Sequence, residues 1–161
     1  FNHCFLTVRV KAPIFVARQL VKHKFMPWNE TSRRYVQDEP EFYFPEVWRG
    51  KADNVKQGSS NEAVMLPLAN YLETIKNSLA DYEEALALGC CAEQARMLLP
   101  QNTMTEWVWS GTLGAFCDML KLRLDSHTQY ETRVVAEKIS DIVKNCFPIS
   151  HKALLESKDS Q

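Results

Sequence analysis

The chain has 161 residues, 45% hydrophobic and 24% charged, which suits one folded domain with a real core and excludes a disordered polyelectrolyte. Its 19 Lys+Arg nearly balance 20 Asp+Glu, so no global field selects nucleic acid or a membrane surface, and any anion must be met by a local cluster. Five cysteines (Cys4, Cys90, Cys91, Cys117, Cys146) are an odd count without a C-x-x-C spacing, and the adjacent Cys90-Cys91 suits neither metal nor disulfide, which favours buried free thiols in a reducing cytoplasm.

The first predicted element is a strand, Cys4 to Val10, β-branched and roughly alternating from Leu6. It begins almost at Phe1, so an N-terminally incomplete chain is expected. Lys11-Ala12-Pro13 then opens a helix, with proline early where its missing N–H costs little. Ile14, Ala17 and Val21 fall on one face of it, Arg18 and Lys22 share another, and Pro27 ends it. A polar loop follows, with Asn29, Glu30, Ser32, Arg33 and Arg34 close behind Lys22, His23 and Lys24.

Glu41 to Pro45 reads as a second short strand. Val47 to Ser60, with two glycines and a Ser-Ser pair, reads as loop. Ser59-x-x-Glu62 is a capping box for a long helix. Its apolar seam is Met65, Leu68, Leu72, Ile75, Leu79, Tyr82 and Leu86, and Gly89 stops it. That heptad-like seam predicts helix–helix packing within or between subunits.

Cys91 to Pro100 is a shorter helix, Thr103 to Trp109 a strand and Thr112 to Leu122 a helix. Ser126-x-x-Gln129 is read as a capping box for a last helix, with Val135, Ile139, Ile142 and Cys146 inward. No apolar run reaches bilayer length. The pattern is α+β, helix-dominated, in a single domain spanning 1–161.

Three polar groups carry the candidate chemistry. The cations and hydroxyl around Lys22 to Arg34 suit a phosphate; a solvated basic loop is the plain alternative. Arg96, alone in an apolar helix, faces either solvent or a buried anion. Arg123, His127 and Glu131 lie within a turn or two of one another, which a satisfied surface network also explains. No phosphate-binding glycine loop, nucleophile elbow or zinc-helix motif occurs, and no cysteine–histidine or metal spacing stands out.

Lys22-His23-Lys24, seven residues, then Ser32 resembles the Arg-His-Arg, seven residues, Ser signature of the flavin-dependent thymidylate synthase family. "VKAPIFVARQ", "NETSRRY", "EFYFP", "ARMLLP" and "LRLDSHTQYE" also resemble family segments in family order, over nearly the whole chain. The resemblance implies an α+β fold with a small antiparallel sheet. It also implies a methyltransferase that converts dUMP to dTMP with FAD, drawing on NADPH and methylenetetrahydrofolate. By the same resemblance, Gln19, Lys22, Glu30, Thr31, Ser32, Arg33, Arg34 and Arg96 hold dUMP. Arg123 sits on the uracil as the catalytic residue. Lys22, His23, Lys24, Glu30, Asp118 and His127 meet the flavin, with Gln129 nearby. A homotetramer with sites between subunits is implied, without nucleic acid or membrane.

The sequence departs from the family pattern in its two signature lysines, and in Thr112, Gly114 and Asp118, where the family carries Asn, Arg and Asn. Two other readings stay open: a relative that installs hydroxymethyl, and a non-catalytic nucleotide-binding relative.

Overall fold

In the computed structural model, which describes residues 1–35, 38–53 and 58–156, strand β1 (Phe5–Pro13) pairs antiparallel with β5 (Met104–Thr112) along its full length. The short strand β2 (Trp28–Glu30) adds to the other edge of β5, giving the order β1-β5-β2. Antiparallel sheets commonly bury one face only, and alternation decides which. Val8, Val10 and Ala12 of β1 and Trp107 and Trp109 of β5 point inward. Thr7, Arg9, Lys11 and Val108 are exposed on the other face, where Arg9 pairs with Glu106.

Three helices cover the inner face: α1 (Ile14–Leu20), α4 (Leu113–Arg123) and α5 (Tyr130–Cys146). Leu20, Leu113, Phe116, Leu120, Ala136 and Val143 all reach 0% exposure beneath it. The strand outlasts its predicted end at Val10 because Lys11, Ala12 and Pro13 continue the β5 register through Met104. The first free helix donors of α1 are then met by β5's approach: Ile14 N–H donates to Thr103 O and Phe15 N–H to Gln101 O.

Several expectations are corrected. The inner face of α1 is Val16, Ala17 and Leu20; Ile14 is half-buried, Val21 is exposed, and Lys22 lies beyond the helix. The chain reverses before Pro27, at Phe25, whose φ of 61° is left-handed. Glu41 to Pro45 forms one isolated bridge, Phe42 to Thr103, and no strand. The expected loop from Val47 to Ser60 contains β3 (Arg49–Lys51) and the start of β4 (Ser59–Ala63), which pair with each other; its residues 54–57 lie outside those described.

Ser59 therefore caps no helix. The long helix α2 (Leu68–Ala87) starts after Pro67 and ends against Gly89, whose φ of +87° is a glycine conformation. Its seam is only partly buried: Ile75 and Tyr82 are covered, while Met65, Leu68 and Leu72 are exposed. Short helix α3 (Ala92–Ala95) runs into a 3-10 turn at Arg96–Leu98. α5 begins at Tyr130 without a side-chain cap, and its inner face is Thr132, Ala136, Ile139 and Val143; Ile142 and Cys146 are exposed. A short helix, α6 (Pro148–His151), follows it and runs into a π-helical turn at Lys152–Glu156. Of the thiols only Cys117 is buried, while Cys4, Cys91 and Cys146 are exposed. No helix among the described residues is long and apolar enough to cross a membrane.

Candidate functional site

Two cavities flank α1, and Arg18 and Val21 border both. The first, of about 1460 Å³, combines an aromatic wall (Phe15, Tyr43, Trp48) with the cations Lys22, Lys121 and Arg123. The second is lined by Glu30, Thr31, Ser32, Arg33, Arg34 and Arg96. Most of the predicted residues are thus gathered in two groups on the two sides of one short helix, while His23, Lys24 and Asp118 line neither cavity.

Arg123 ends α4 and is held from both sides. Its Nε donates to His23 Nε2 at 3.0 Å, and its Nη2 donates to the Gln19 carbonyl at 2.9 Å. Guanidinium nitrogens never accept, so His23 Nε2 is a bare lone pair and the ring is the neutral Nδ1–H tautomer. The electrostatics agree: burial, and then the charge of Arg123, push the His23 pKa below its usual value. Burial also lowers the Arg123 pKa, yet a guanidinium keeps its charge at any physiological pH. What results is a fixed, half-buried cation whose remaining donors are uncommitted among the described residues.

In the second cavity Ser32 acts first on its own loop. Its Oγ accepts from the backbone N–H of Arg34 at 3.3 Å and from Arg34 Nε at 3.2 Å. Arg33 donates to the Asp38 and Glu39 carbonyls. Glu30 is held by Trp28 Nε1 and the Thr105 hydroxyl. Arg96 is exposed, not buried in its apolar surroundings; its Nε donates to the Glu93 carbonyl, and its two terminal nitrogens make no hydrogen bond or ion pair among the described residues. Lys24 is exposed and borders neither cavity. Asp118 also stands outside both, 79% exposed and facing Lys121 at 3.4 Å. His127, on the first cavity's rim, is turned by Asp125, which accepts from its backbone N–H and contacts Nδ1.

Sequence reasoning missed Arg49, which joins Glu131 in a half-buried ion pair and lies over the Tyr130 ring at 4.3 Å. Burial alone would raise the Glu131 carboxyl, but hydrogen bonds from Arg49 and the charge beside it hold it below the usual range. Tyr43 is raised by burial and by that same carboxylate. Gly58 lets the hairpin reach this corner: its φ is +104°, and a Cβ there would stand 3.3 Å from the His127 carbonyl. Nothing local marked Arg49, because its partner is 82 residues away.

The family model described as thymidylate synthase complementing protein matches residues 1–149. A flavin-dependent thymidylate synthase of Thermosipho africanus is 36% identical over 160 residues, covering 97% of this chain and 70% of that protein. One from Thermus thermophilus is 40% identical over 150 residues, or 91% of this chain and 55% of its own length. The UMP/dUMP methylase PolB from Streptomyces cacaoi, solved with 5-Br dUMP, superposes with a TM-score of 0.81 at 26% identity, covering 92% of this chain and 69% of PolB. Its complex with 5-Br UMP gives 0.83 at 25% identity, covering 97% and 76%.

Proposed function

The chain belongs to the thymidylate synthase complementing protein family, and we propose that it is a flavin-dependent thymidylate synthase, converting dUMP to dTMP with methylenetetrahydrofolate as carbon donor and NADPH as reductant. The observation that carries this reading is Arg123, fixed by His23 and Gln19 on the wall of a large cavity that is aromatic on one side and cationic on the other.

The chemistry asks for such a cation. C5 of uracil is a weak nucleophile, and negative charge gathers on the ring and its carbonyl oxygens as C5 attacks. A guanidinium already desolvated and held in place stabilises that charge without reorganising. No enzyme nucleophile is then required. Ser32, Arg33, Arg34 and Arg96 are assigned to the phosphate, which several short donors on a turn and a second cation suit.

The first cavity fits a flavin. Its aromatic wall offers ring contacts, its cations suit a pyrophosphate, and the Trp48 indole N–H is a buried donor without a partner among the described residues. Lys22, His23 and His127 are assigned to that group, with Lys24 beside them. FAD supplies, when bound, the reducing hydride. Lysine in place of the signature arginines keeps the charge and loses the planar fork, so these contacts are point charges. Asp118, paired with Lys121, is assigned no direct contact.

The residues assigned to dUMP are divided between the two cavities. That division favours a homotetramer in which a second copy brings its Ser32 and Arg96 to the first copy's Arg123. Met65, Leu68 and Leu72, exposed on α2, offer apolar surface for such contacts. The test is release of tritium from C5-labelled dUMP with FAD, NADPH and methylenetetrahydrofolate present, with the product mass read in parallel. A protein that takes up FAD and dUMP yet releases no tritium overturns the assignment. A product heavier than dTMP by one oxygen identifies hydroxymethyl transfer instead.

A further inference from the structure

Four side chains beside the first cavity form one hydrogen-bonded run. Arg49 pairs with Glu131 Oε1, Gln129 Nε2 donates to Glu131 Oε2 at 3.1 Å, and Gln19 Nε2 donates to Gln129 Oε1 at 2.5 Å. Arg49 is itself anchored, by Nε to the Ser59 hydroxyl at 3.0 Å and by its stacking on Tyr130.

The run has an enforced direction. An ionised carboxylate only accepts, so Gln129 must turn its nitrogen to Glu131 and its oxygen to Gln19. Gln19 must then turn its nitrogen to Gln129. The atom left over is Gln19 Oε1, which has no hydrogen-bond partner among the described residues and can only accept.

We propose that Glu131 is a positioning residue for substrate recognition: through Gln129 it fixes Gln19 as an acceptor, which takes an N–H or O–H of the pyrimidine nucleotide and not its phosphate. The proposal rests on the reading of this cavity as a dUMP site. A phosphate oxygen carries lone pairs, so it repels a bare amide oxygen. dUMP offers two suitable donors, the uracil N3–H and the sugar 3′-hydroxyl.

The carboxylate is what sets the polarity, so an amide in its place reverses it. In Glu131→Gln, Arg49 only donates and keeps the new amide's oxygen. Its nitrogen then faces Gln129, whose amide turns over, and Gln19 turns with it to present N–H to the ligand. Gln129→Met interrupts the run while leaving the Arg49–Glu131 pair in place, which keeps the test open should the first variant weaken the fold.

The experiment is an equilibrium titration of wild type and both variants with three ligands. These are dUMP, 3-methyl-dUMP, which lacks the N3–H, and 2′,3′-dideoxyuridine monophosphate, which lacks the hydroxyl. Wild type is expected to bind one analogue about fivefold to tenfold more weakly than dUMP, the size of one lost hydrogen bond. Both variants are expected to lose that factor for dUMP while binding the same analogue as wild type does, which also identifies the donor. Variants that weaken all three ligands equally, or that hold dUMP as tightly as wild type, overturn the proposal. A wild-type protein that takes up no dUMP overturns the functional reading itself, and the relay's role with it.

Discussion

Arg123 donates from Nε to Nε2 of His23 across 3.0 Å, a bond that exists only while the imidazole is neutral. The His23 pKa is lowered in the fold by burial and by Arg123, so the unfolded chain takes up this proton at a higher pH than the folded one. Well above about 6.5 neither state is protonated there and the group contributes nothing to pH dependence. As pH falls below that value the unfolded state gains protons first, and stability drops until the folded pKa is passed. His23→Gln, whose carbonyl still accepts from Arg123, should flatten this acid limb in melting temperatures taken from pH 7.5 to 5. An unchanged slope would assign the limb to other groups.

Arg123→Ala should stop turnover and leave the fold standing, because a positioned cation beside developing charge is worth about 3 kcal/mol or more. Arg123→Lys keeps the charge but cannot reach His23 and the Gln19 carbonyl together, so most of the loss should persist. Circular dichroism with tritium release separates the two effects. Near-native rates in either variant remove Arg123 from the mechanism.

Ser32→Ala removes the hydroxyl that accepts twice from Arg34. Affinity for dUMP should fall about tenfold, the cost of one or two hydrogen bonds near a charge, with the turnover number at saturation little changed. An altered turnover number with unchanged KM would place Ser32 in the chemistry and not in binding.

Leu72→Glu puts a charge on the exposed apolar side of α2, where Leu72 is 40% exposed and Leu68 53%. The helix itself should tolerate it. If that face joins subunits, sedimentation should show smaller species with weakened dUMP binding. An intact tetramer would move the interface elsewhere.

Leu20→Ala should cost about 3 kcal/mol, as large-to-small changes at sealed positions do. Leu20 is 0% exposed and seats α1 between the cavities. Chemical denaturation gives the loss directly; a cost under about 1 kcal/mol would mean the site repacks freely.

Much of the architecture was legible in local pattern. Alternation marked β1 and β5, Thr112 and the apolar run behind it marked α4, and heptad spacing with Gly89 marked α2. The β3–β4 hairpin was not legible. Its strands are Arg-Gly-Lys and Ser-Ser-Asn-Glu-Ala, poor strand formers that gain their structure from each other and from packing on the His127 loop. The inner face of α5 was misjudged because the first turn buries Thr132, a polar residue that hydrophobic spacing passes over.

The sequence by itself determined which residues are candidates for the chemistry, because a signature is a statement of residue types and short spacings. It also determined the family, through segments kept in order along the chain. Only the tertiary structure decided who meets whom. Arg123 reaches His23 across 100 residues and Arg49 reaches Glu131 across 82, and separations of that length leave no periodic trace. The same holds for the placing of Ser32 and Arg123 on opposite sides of α1. That placement follows from how the helix packs on the sheet, a property of buried shape and not of any one stretch of chain.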